Sequence, residues 1–92
     1  MLIDDIEHYL ALRRSLGFKL DKVAMNLRAF ADFATSRGDT HMRAATAVEW
    51  SAMGGTRGQR CGRLGYTVRL AIFLRAADSA HEIPPARLFA VR

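Results

Sequence analysis

Length, composition and charge restrict the class of protein before any motif is considered. The chain has 92 residues, of which 50% are hydrophobic and 25% are charged, and its formal net charge is +5. A chain of this length forms one domain, and this balance is typical of a folded domain rather than a disordered segment. It has no apolar run near the roughly 18 residues that span a bilayer, and its start is acidic, unlike a signal peptide. We therefore predict a cytoplasmic protein.

The residue pattern gives little indication of a catalytic or metal-binding site. Cys61 is the single cysteine, which excludes an internal disulfide or thiolate cluster, and we interpret it as a small buried filler. The histidines have no i, i+4 pair and are predicted to be surface residues: His8, His41 and His81. The N-terminal acids suit the first turn of a helix better than a Mg²⁺ site. We expect no cofactor, no metal and no small-molecule substrate.

The first predicted element is an amphipathic helix over about residues 3–16. Its core face consists of apolar residues at helical spacing: Leu2, Ile6, Tyr9, Leu10 and Leu16. Gly17 is predicted to end it, because glycine adopts the left-handed C′ conformation without a Cβ clash. Gly38 and Gly54 are predicted to end the second and third helices in the same way.

The second helix, over about residues 22–37, has the clearest period in the chain. One stripe is predicted to be core: Leu20, Val23, Ala24, Leu27, Phe30, Ala31 and Ala34. Asp21 is the predicted N-cap, and Leu20 and Met25 have the spacing of a hydrophobic staple.

Two further helices and a tail complete the predicted fold. The spacing of Ala45, Val48 and Ala52 predicts a short helix over about residues 44–53. A capping box at Thr56 and Gln59 begins a fourth helix that runs to about residue 77 and is apolar on nearly every side, as in a central buried helix. Prolines at 84 and 85 then predict an extended linker.

Positive charge is concentrated on the fourth helix. Residues 51–76 contain no acid, and their cations are all arginine: Arg57, Arg60, Arg63, Arg69 and Arg75. Arginine pairs bidentately with phosphate and with guanine, so this bias favours nucleic acid as a partner.

The predicted contact surface centres on the start of this helix. Arg60, Arg63 and Thr67 form a polar stripe that could enter a major groove, with Arg57 and Gln59 beside it. A solvated basic face explains the stripe equally well. The preceding glycine-rich loop resembles an ordinary connection more than a phosphate cradle.

A second set of candidate contacts lies at the start of the second helix. Lys19 and Lys22 could touch a phosphate backbone there, and Asn26 lies off the core stripe. Asp21 between the two lysines opposes this interpretation unless its carboxylate is used in capping.

Four stretches, in this order and spacing, resemble the N-terminal core-binding (SAM-like) domain of tyrosine recombinases of the phage-integrase type. They are Tyr9–Lys19, Leu27–Phe33, Val48–Trp50 and Glu82–Pro85. The resemblance implies a compact all-α, four-helix SAM-like orthogonal bundle over residues 1–80 and a linker over residues 81–92 toward a catalytic domain. Arg69 matches a basic residue of some members.

The resemblance also implies a function. Such a domain clamps double-stranded DNA at a recombination site, while a C-terminal catalytic domain and other recombinase protomers supply the chemistry. We expect this chain to bind DNA without cleaving it and to have no membrane partner. The alternatives are a SAM-like protein-interaction domain and a stand-alone, non-catalytic remnant of a mobile element. We further expect Arg60→Glu with Arg63→Glu to abolish DNA binding and to leave the helical spectrum intact.

Overall fold

The computed structural model describes residues 2–89, which form four helices and no strand. The helices are α1 (Leu2–Ser15), α2 (Asp21–Ser36), α3 (Ala44–Ala52) and α4 (Arg57–Ala77). The all-α prediction is confirmed, and the predicted ends agree with the observed ones to about one residue. None of these helices is long and apolar enough to cross a bilayer.

Helices α2 and α4 form the centre of the molecule. Each contacts all three other helices, whereas α1 and α3 flank this pair and do not contact one another. The described chain measures 35 × 30 × 22 Å along its principal axes. The core lies between the α2–α4 pair and the two helices, α1 and α3, that pack against this pair.

The predicted core stripe of α2 is confirmed. Its buried members are Leu20, Ala24, Leu27, Phe30, Ala31 and Ala34, with Val23 packed at the edge. The Phe30 ring meets the Trp50 ring of α3 edge-on at a centroid distance of 5.4 Å. This contact fixes α3 against α2.

Helix α1 follows the prediction except at its end. Leu2, Ile6, Tyr9 and Leu10 are buried, but Leu16 is 68% exposed, so its assignment to the core is wrong. The helix ends at Ser15, and Gly17, with φ of 92°, turns the chain away. Leu16 therefore leaves the helical face that the periodicity assigned to it.

The buried face of α3 is not the predicted one. Ala45 and Ala52 are exposed, and the helix instead buries Thr46, Ala47, Trp50 and Ser51. Two of these residues are polar but satisfied: Ser51 donates to the Ala47 carbonyl at 2.7 Å, and Thr46 donates to Asp39 Oδ2 at 2.6 Å. Hydropathy misses such a face because hydroxyl groups with partners are buried at little cost.

Helix α4 is central but amphipathic, not apolar and buried on every side. Its buried residues are Leu64, Thr67, Leu70, Ala71 and Leu74, whereas Ile72 is 54% exposed. The predicted capping box is confirmed, since the Gln59 N–H donates to Thr56 Oγ1 at 3.1 Å and the Thr56 N–H donates to Gln59 Oε1 at 3.2 Å.

Two predicted helix-end signals are wrong. The N-cap of α2 is Leu20, which cannot cap through its side chain, and Asp21 is the first helical residue. Met25 is exposed, so it does not complete a hydrophobic staple with Leu20. Asp21 still lies in the first turn, where the helix dipole favours a carboxylate.

Glycine ends α2 as predicted but not α3. Gly38 has a φ of 79°, whereas Gly54 does not adopt positive φ. A Cβ on Gly54 would lie 2.9 Å from the backbone nitrogen of Arg60. Gly54 therefore allows α3 and the start of α4 to approach closely, a requirement that is tertiary rather than local.

The segment after α4 packs against the helices and is not a free linker. The Glu82 N–H donates to the Met42 carbonyl at 2.9 Å, and the Ala44 N–H donates to Glu82 Oε1 at 2.8 Å. Pro84 is fully buried, and the half-buried Cys61 thiol donates to the Phe89 carbonyl at 3.2 Å. Residues 90–92 of the predicted linker lie outside the described residues.

Candidate nucleic-acid interface

A groove of about 480 Å³ lies between the first turns of α2 and α4. Three residues of α2 and six from the start of α4 line it: Lys22, Met25, Asn26, Thr56, Gly58, Gln59, Gly62, Arg63 and Tyr66. The N-terminus of a helix carries partial positive charge. A groove bordered by two such ends favours an anionic ligand.

A smaller groove of about 120 Å³ adjoins the first, with Tyr66 as the shared wall. Its remaining lining residues come from α1, α2 and α4: Tyr9, Arg13, Leu20, Val23 and Arg69. Arg13 and Tyr66 were not among the site residues predicted from the sequence. A helical period describes one helix at a time, so it could not show that α1, α2 and α4 meet at this groove.

The structure brings together most of the predicted contact residues. Lys22, Asn26, Gln59 and Arg63 line the larger groove, and Arg69 lines the smaller one. Lys19 and Arg57 are exposed at the adjoining helix starts but line neither groove. Residues from two helices, 30 or more positions apart in the sequence, thus form one surface.

The predicted polar stripe of α4 does not lie on one exposed face. Thr67 is fully buried and donates to the Leu64 carbonyl at 2.8 Å, so its assignment as a DNA contact is wrong. Arg60 is half-buried, and its Nη1 donates to the Gly54 carbonyl at 3.0 Å. These side chains lie against the core and the end of α3, because α4 packs most extensively against α3.

Arg63 has contacts on both sides. Its Nη1 donates to the Trp50 carbonyl at 3.1 Å, and its guanidinium carbon lies 4.8 Å from the centroid of the Trp50 ring. The same side chain lines the larger groove. A guanidinium has five N–H donors, so this one hydrogen bond leaves donors for an anion in the groove.

The two amides in the groove are positioned by their own helices. Asn26 Nδ2 donates to the Lys22 carbonyl at 2.8 Å, which leaves the amide oxygen as an acceptor. Gln59 Oε1 accepts from the Thr56 N–H in the capping box and also from the Gly55 N–H at 2.7 Å, which leaves the NH₂ group as a donor. Both side chains are therefore held in place at the groove.

Acidic residues pair with arginines away from the groove. Arg28 binds Glu7 at 2.7 Å, Arg37 binds Glu49 at 2.7 Å and Arg43 approaches Glu82 at 3.5 Å. Hydrogen bonds from Arg28 and Arg37 lower the pKa values of Glu7 and Glu49 below the ordinary value of 4.5.

The basic residues at the two grooves have no such partner. Within residues 2–89, no carboxylate is within ion-pair distance of Lys22, Arg63 or Arg69, which line the grooves, or of Lys19 and Arg57 beside them. Asp21 does not cap α2, so its exposed carboxylate lies between Lys19 and Lys22 and offsets part of their charge. Lys22, Arg63 and Arg69 still outnumber it, which leaves a local excess of positive charge at the grooves.

Two glycines leave part of the groove wall without side chains. Gly58 and Gly62 line the groove one turn apart on α4. A Cβ on Gly62 would contact nothing within 4 Å, and one on Gly58 would come no closer than 3.8 Å to another atom. Glycine inside a helix costs about 1 kcal/mol relative to alanine, and no internal packing here requires it. This face was not among those predicted from the sequence, although the spacing of Gly58 and Gly62 by one helical turn could have indicated it.

The comparisons with known proteins agree in part with the sequence resemblance. No protein-family model matches the chain, and no solved structure matches it. The chain is 34% identical over 90 residues to y4rB of Sinorhizobium fredii, whose name describes it as an integrase/recombinase. The match covers 95% of this chain but 28% of that protein. The chain is thus similar to one part of an integrase/recombinase and spans about a quarter of its length, which supports a recombinase-related protein.

Proposed function

We propose that this chain is a DNA-binding module of the tyrosine recombinase type, equivalent to the core-binding domain. One observation carries the proposal: Lys22 and Arg63, which have no acidic partner within residues 2–89, line a groove between the N-terminal parts of α2 and α4. Double-stranded DNA has a dense array of phosphates, and contacts to these phosphates supply most non-specific affinity.

The similarity to an integrase/recombinase protein gives the groove its biological context. Such a protein acts on DNA by name, and 95% of the chain aligns with it. The groove alone would suit any polyanion. The two observations together favour duplex DNA at a recombination or integration site.

The proposed contacts follow from the chemistry of the lining residues. Lys22 and Arg69 supply unpaired cations, and Arg63 supplies the donors that Trp50 leaves unused. The bare backbone at Gly58 and Gly62 lets a phosphodiester approach α4 more closely than a side chain would. Lys19 and Arg57 extend the positive surface at its two ends. In this arrangement the module positions the duplex and contributes little sequence preference.

The module binds DNA, and in this proposal strand cleavage belongs to another domain. The chain matches 28% of the integrase/recombinase protein, and the remaining part of such a protein would supply the chemistry. Tyr9 is 4% exposed, and its ring pairs edge-on with Phe73 at a centroid distance of 5.1 Å, as a packed core residue does.

Charge reversal on α2 tests the proposal with a matched control. Lys22 borders the groove, whereas Arg37 lies about 22 Å away at the other end of the same helix. Lys22→Glu should weaken duplex binding at least tenfold in fluorescence anisotropy. Arg37→Glu has the same change in charge and should change binding little, although it also breaks the ion pair with Glu49 and should lower the melting temperature. Melting curves establish that both variants are folded at the temperature used.

The salt dependence gives a second readout. If about three to five phosphates are neutralised, the logarithm of the binding constant should fall with the logarithm of salt at a slope of roughly −3 to −4.5. Lys22→Glu should make this slope shallower by about 1 or more. Equal weakening by Lys22→Glu and Arg37→Glu would assign binding to net charge and refute the groove.

Failure to bind duplex DNA would favour the protein-interaction alternative. The end of α1 and the turn after it expose three large apolar side chains: Leu12, Leu16 and Phe18. Exposed apolar residues in close succession are typical of protein contact sites. Lys19 lies in the same turn and Arg13 on the same helix, so the variants that separate the two functions are those of Lys22, Arg63 and Arg69 on α2 and α4.

A further inference from the structure

Three metal-binding side chains meet where the α2–α3 loop touches the segment after α4. The candidate ligand atoms of His41, Asp78 and His81 lie within 4.8 Å of one another. His41 and His81 are far apart in the sequence, and the tertiary fold brings their rings to a centroid distance of 4.9 Å. We propose that this cluster binds one divalent transition-metal ion of the zinc type.

One edge of the site already has the spacing of ligands on a metal. His41 Nε2 lies 3.1 Å from Asp78 Oδ2. Zinc bonds of about 2.0–2.2 Å in a tetrahedral arrangement separate neighbouring ligand atoms by about 3.4 Å. An ion can therefore bridge these two atoms with little movement, and rotation of the side chains brings in the third ligand.

His41 and Asp78 each have a further hydrogen-bond partner, and these partners suit metal binding. His41 Nδ1 lies 3.1 Å from Thr40 Oγ1, a hydroxyl that can accept as well as donate. Without an ion, His41 Nε2–H donates to Asp78 Oδ2. A bound ion takes the place of this proton, and the ring then carries its proton on Nδ1 and donates it to Thr40 Oγ1, an arrangement common around bound zinc. The Ala80 N–H donates to Asp78 Oδ1 at 3.0 Å and fixes the carboxylate.

His81 can supply the third ligand atom of the site only by losing a buried hydrogen bond. The ring is 4% exposed, and Nδ1 accepts the Met42 N–H at 3.0 Å. The neutral ring therefore carries its proton on Nε2 and has its lone pair on Nδ1. An ion bound to Nδ1 replaces the Met42 N–H, which then loses a buried partner. We expect an affinity well below that of a structural zinc site whose ligands have no competing bond.

The ligand types select the class of ion. Two imidazoles and one carboxylate suit Zn²⁺, Co²⁺ or Ni²⁺, whereas Ca²⁺ and Mg²⁺ require more oxygen ligands. The site is open to solvent on the side of His41 and Asp78, whose side chains are 35% and 52% exposed. The nearby Arg75 is engaged with the Ser79 and His81 carbonyls, the latter at 2.8 Å.

The expected consequence is stabilisation of the folded chain. The unfolded chain does not hold ligands from positions 41, 78 and 81 together, so an ion bound there favours the folded state. It would fasten the segment after α4 to the α2–α3 loop.

Thermal unfolding of a chain without a polyhistidine tag tests the site with zinc chloride against a chelator. With the free ion about a hundredfold above its Kd, the melting temperature should rise by about 10 °C or more. Co²⁺ should give the visible absorption of a nitrogen- and oxygen-ligated site. No rise at millimolar zinc would overturn the proposal.

Variants separate this site from adventitious binding. His41→Ala and Asp78→Asn change exposed side chains and should abolish the zinc-dependent rise. His8→Ala is the matched control, because His8 lies on α1, where its ring faces Phe73. An equal rise in His41→Ala and the parent chain would assign binding to other groups.

The third ligand is tested without replacing the buried ring. In nitrogen–proton correlation spectra, zinc should shift the Met42 amide strongly, because the ion takes its acceptor on His81. An unmoved Met42 amide at saturating zinc would remove His81 from the site and overturn the three-ligand proposal.

Discussion

Arg63 joins the second turn of α4 to the end of α3 through Trp50. Its Nη1 donates to the Trp50 carbonyl at 3.1 Å, and its guanidinium lies 4.8 Å from the centroid of the indole ring. The same ring meets Phe30 of α2 at 5.4 Å. One arginine at the edge of the candidate interface thus also supports the packing of three helices.

Arg63→Ala should lower the free energy of unfolding by about 1–2 kcal/mol. The variant loses a hydrogen bond worth about 0.5–1.5 kcal/mol and a cation–π contact worth about 0.5–1 kcal/mol. Urea denaturation measures the change, with Lys22→Ala as a control expected within about 0.5 kcal/mol of the parent. Unchanged stability of Arg63→Ala would show that the Trp50 contact contributes nothing.

The contacts of Arg63 also change what we expect of the double charge reversal. Arg60→Glu with Arg63→Glu was expected to leave the helical spectrum intact, but both side chains donate to carbonyls at the end of α3 and in the loop after it. We now expect the double variant to melt at a lower temperature. Loss of DNA binding in it would therefore not separate contact from folding, whereas Lys22→Glu does.

Gly62→Ala should stabilise the fold and weaken DNA binding. A Cβ there contacts nothing within 4 Å, and alanine is favoured over glycine in a helix by about 1 kcal/mol. The added methyl group lies in the groove where we propose that a phosphodiester approaches. Denaturation and anisotropy on the same sample measure both effects. Higher stability with unchanged affinity would refute close approach of DNA at this position.

Gly54→Ala should have the opposite effect on stability. Its Cβ would lie 2.9 Å from the Arg60 backbone nitrogen, so α3 and α4 must separate to accommodate it. Overpacking of this kind costs about 1–3 kcal/mol. Urea denaturation should give a lower midpoint for Gly54→Ala and a higher one for Gly62→Ala. A neutral Gly54→Ala would show that the loop relaxes freely.

Stability should fall in acid as the surface ion pairs are lost. Hydrogen bonds from Arg37 and Arg28 lower the folded-state pKa values of Glu49 and Glu7 below 4.5. A lowered pKa stabilises the fold at pH values above 4.5, and this contribution disappears as pH falls through the folded-state pKa. Glu49→Gln should therefore give a shallower decline of unfolding free energy below about pH 4.5. An identical decline in variant and parent would assign acid sensitivity to other carboxylates.

The sequence alone determined most features that depend on neighbours along the chain, the Asp21 cap and the Leu20–Met25 staple being the exceptions. The Thr56 and Gln59 capping box, the positive-φ glycines at 17 and 38 and the core stripe of α2 were all predicted correctly. Each depends on interactions within a few residues or on one helical period. For the same reason, the four helix boundaries were predicted to about one residue.

Several residues of the candidate site were proposed from the sequence, but their arrangement was not. Lys22, Asn26, Gln59 and Arg63 were proposed from charge and helical position, and the fold places them around one groove. The stripe that joined Arg63 to Arg60 and Thr67 was wrong, because α3 and the core cover much of that face.

The tertiary structure decided which faces meet, and a linear pattern does not contain that information. Thr67 and Ser51 are buried because nearby carbonyls accept their hydroxyl hydrogen bonds, although hydropathy favours the surface for both. His41 and His81 come together only because the segment after α4 returns to the α2–α3 loop. Burial and clustering depend on contacts between residues distant in sequence, whereas propensity and capping depend on residues a few positions apart.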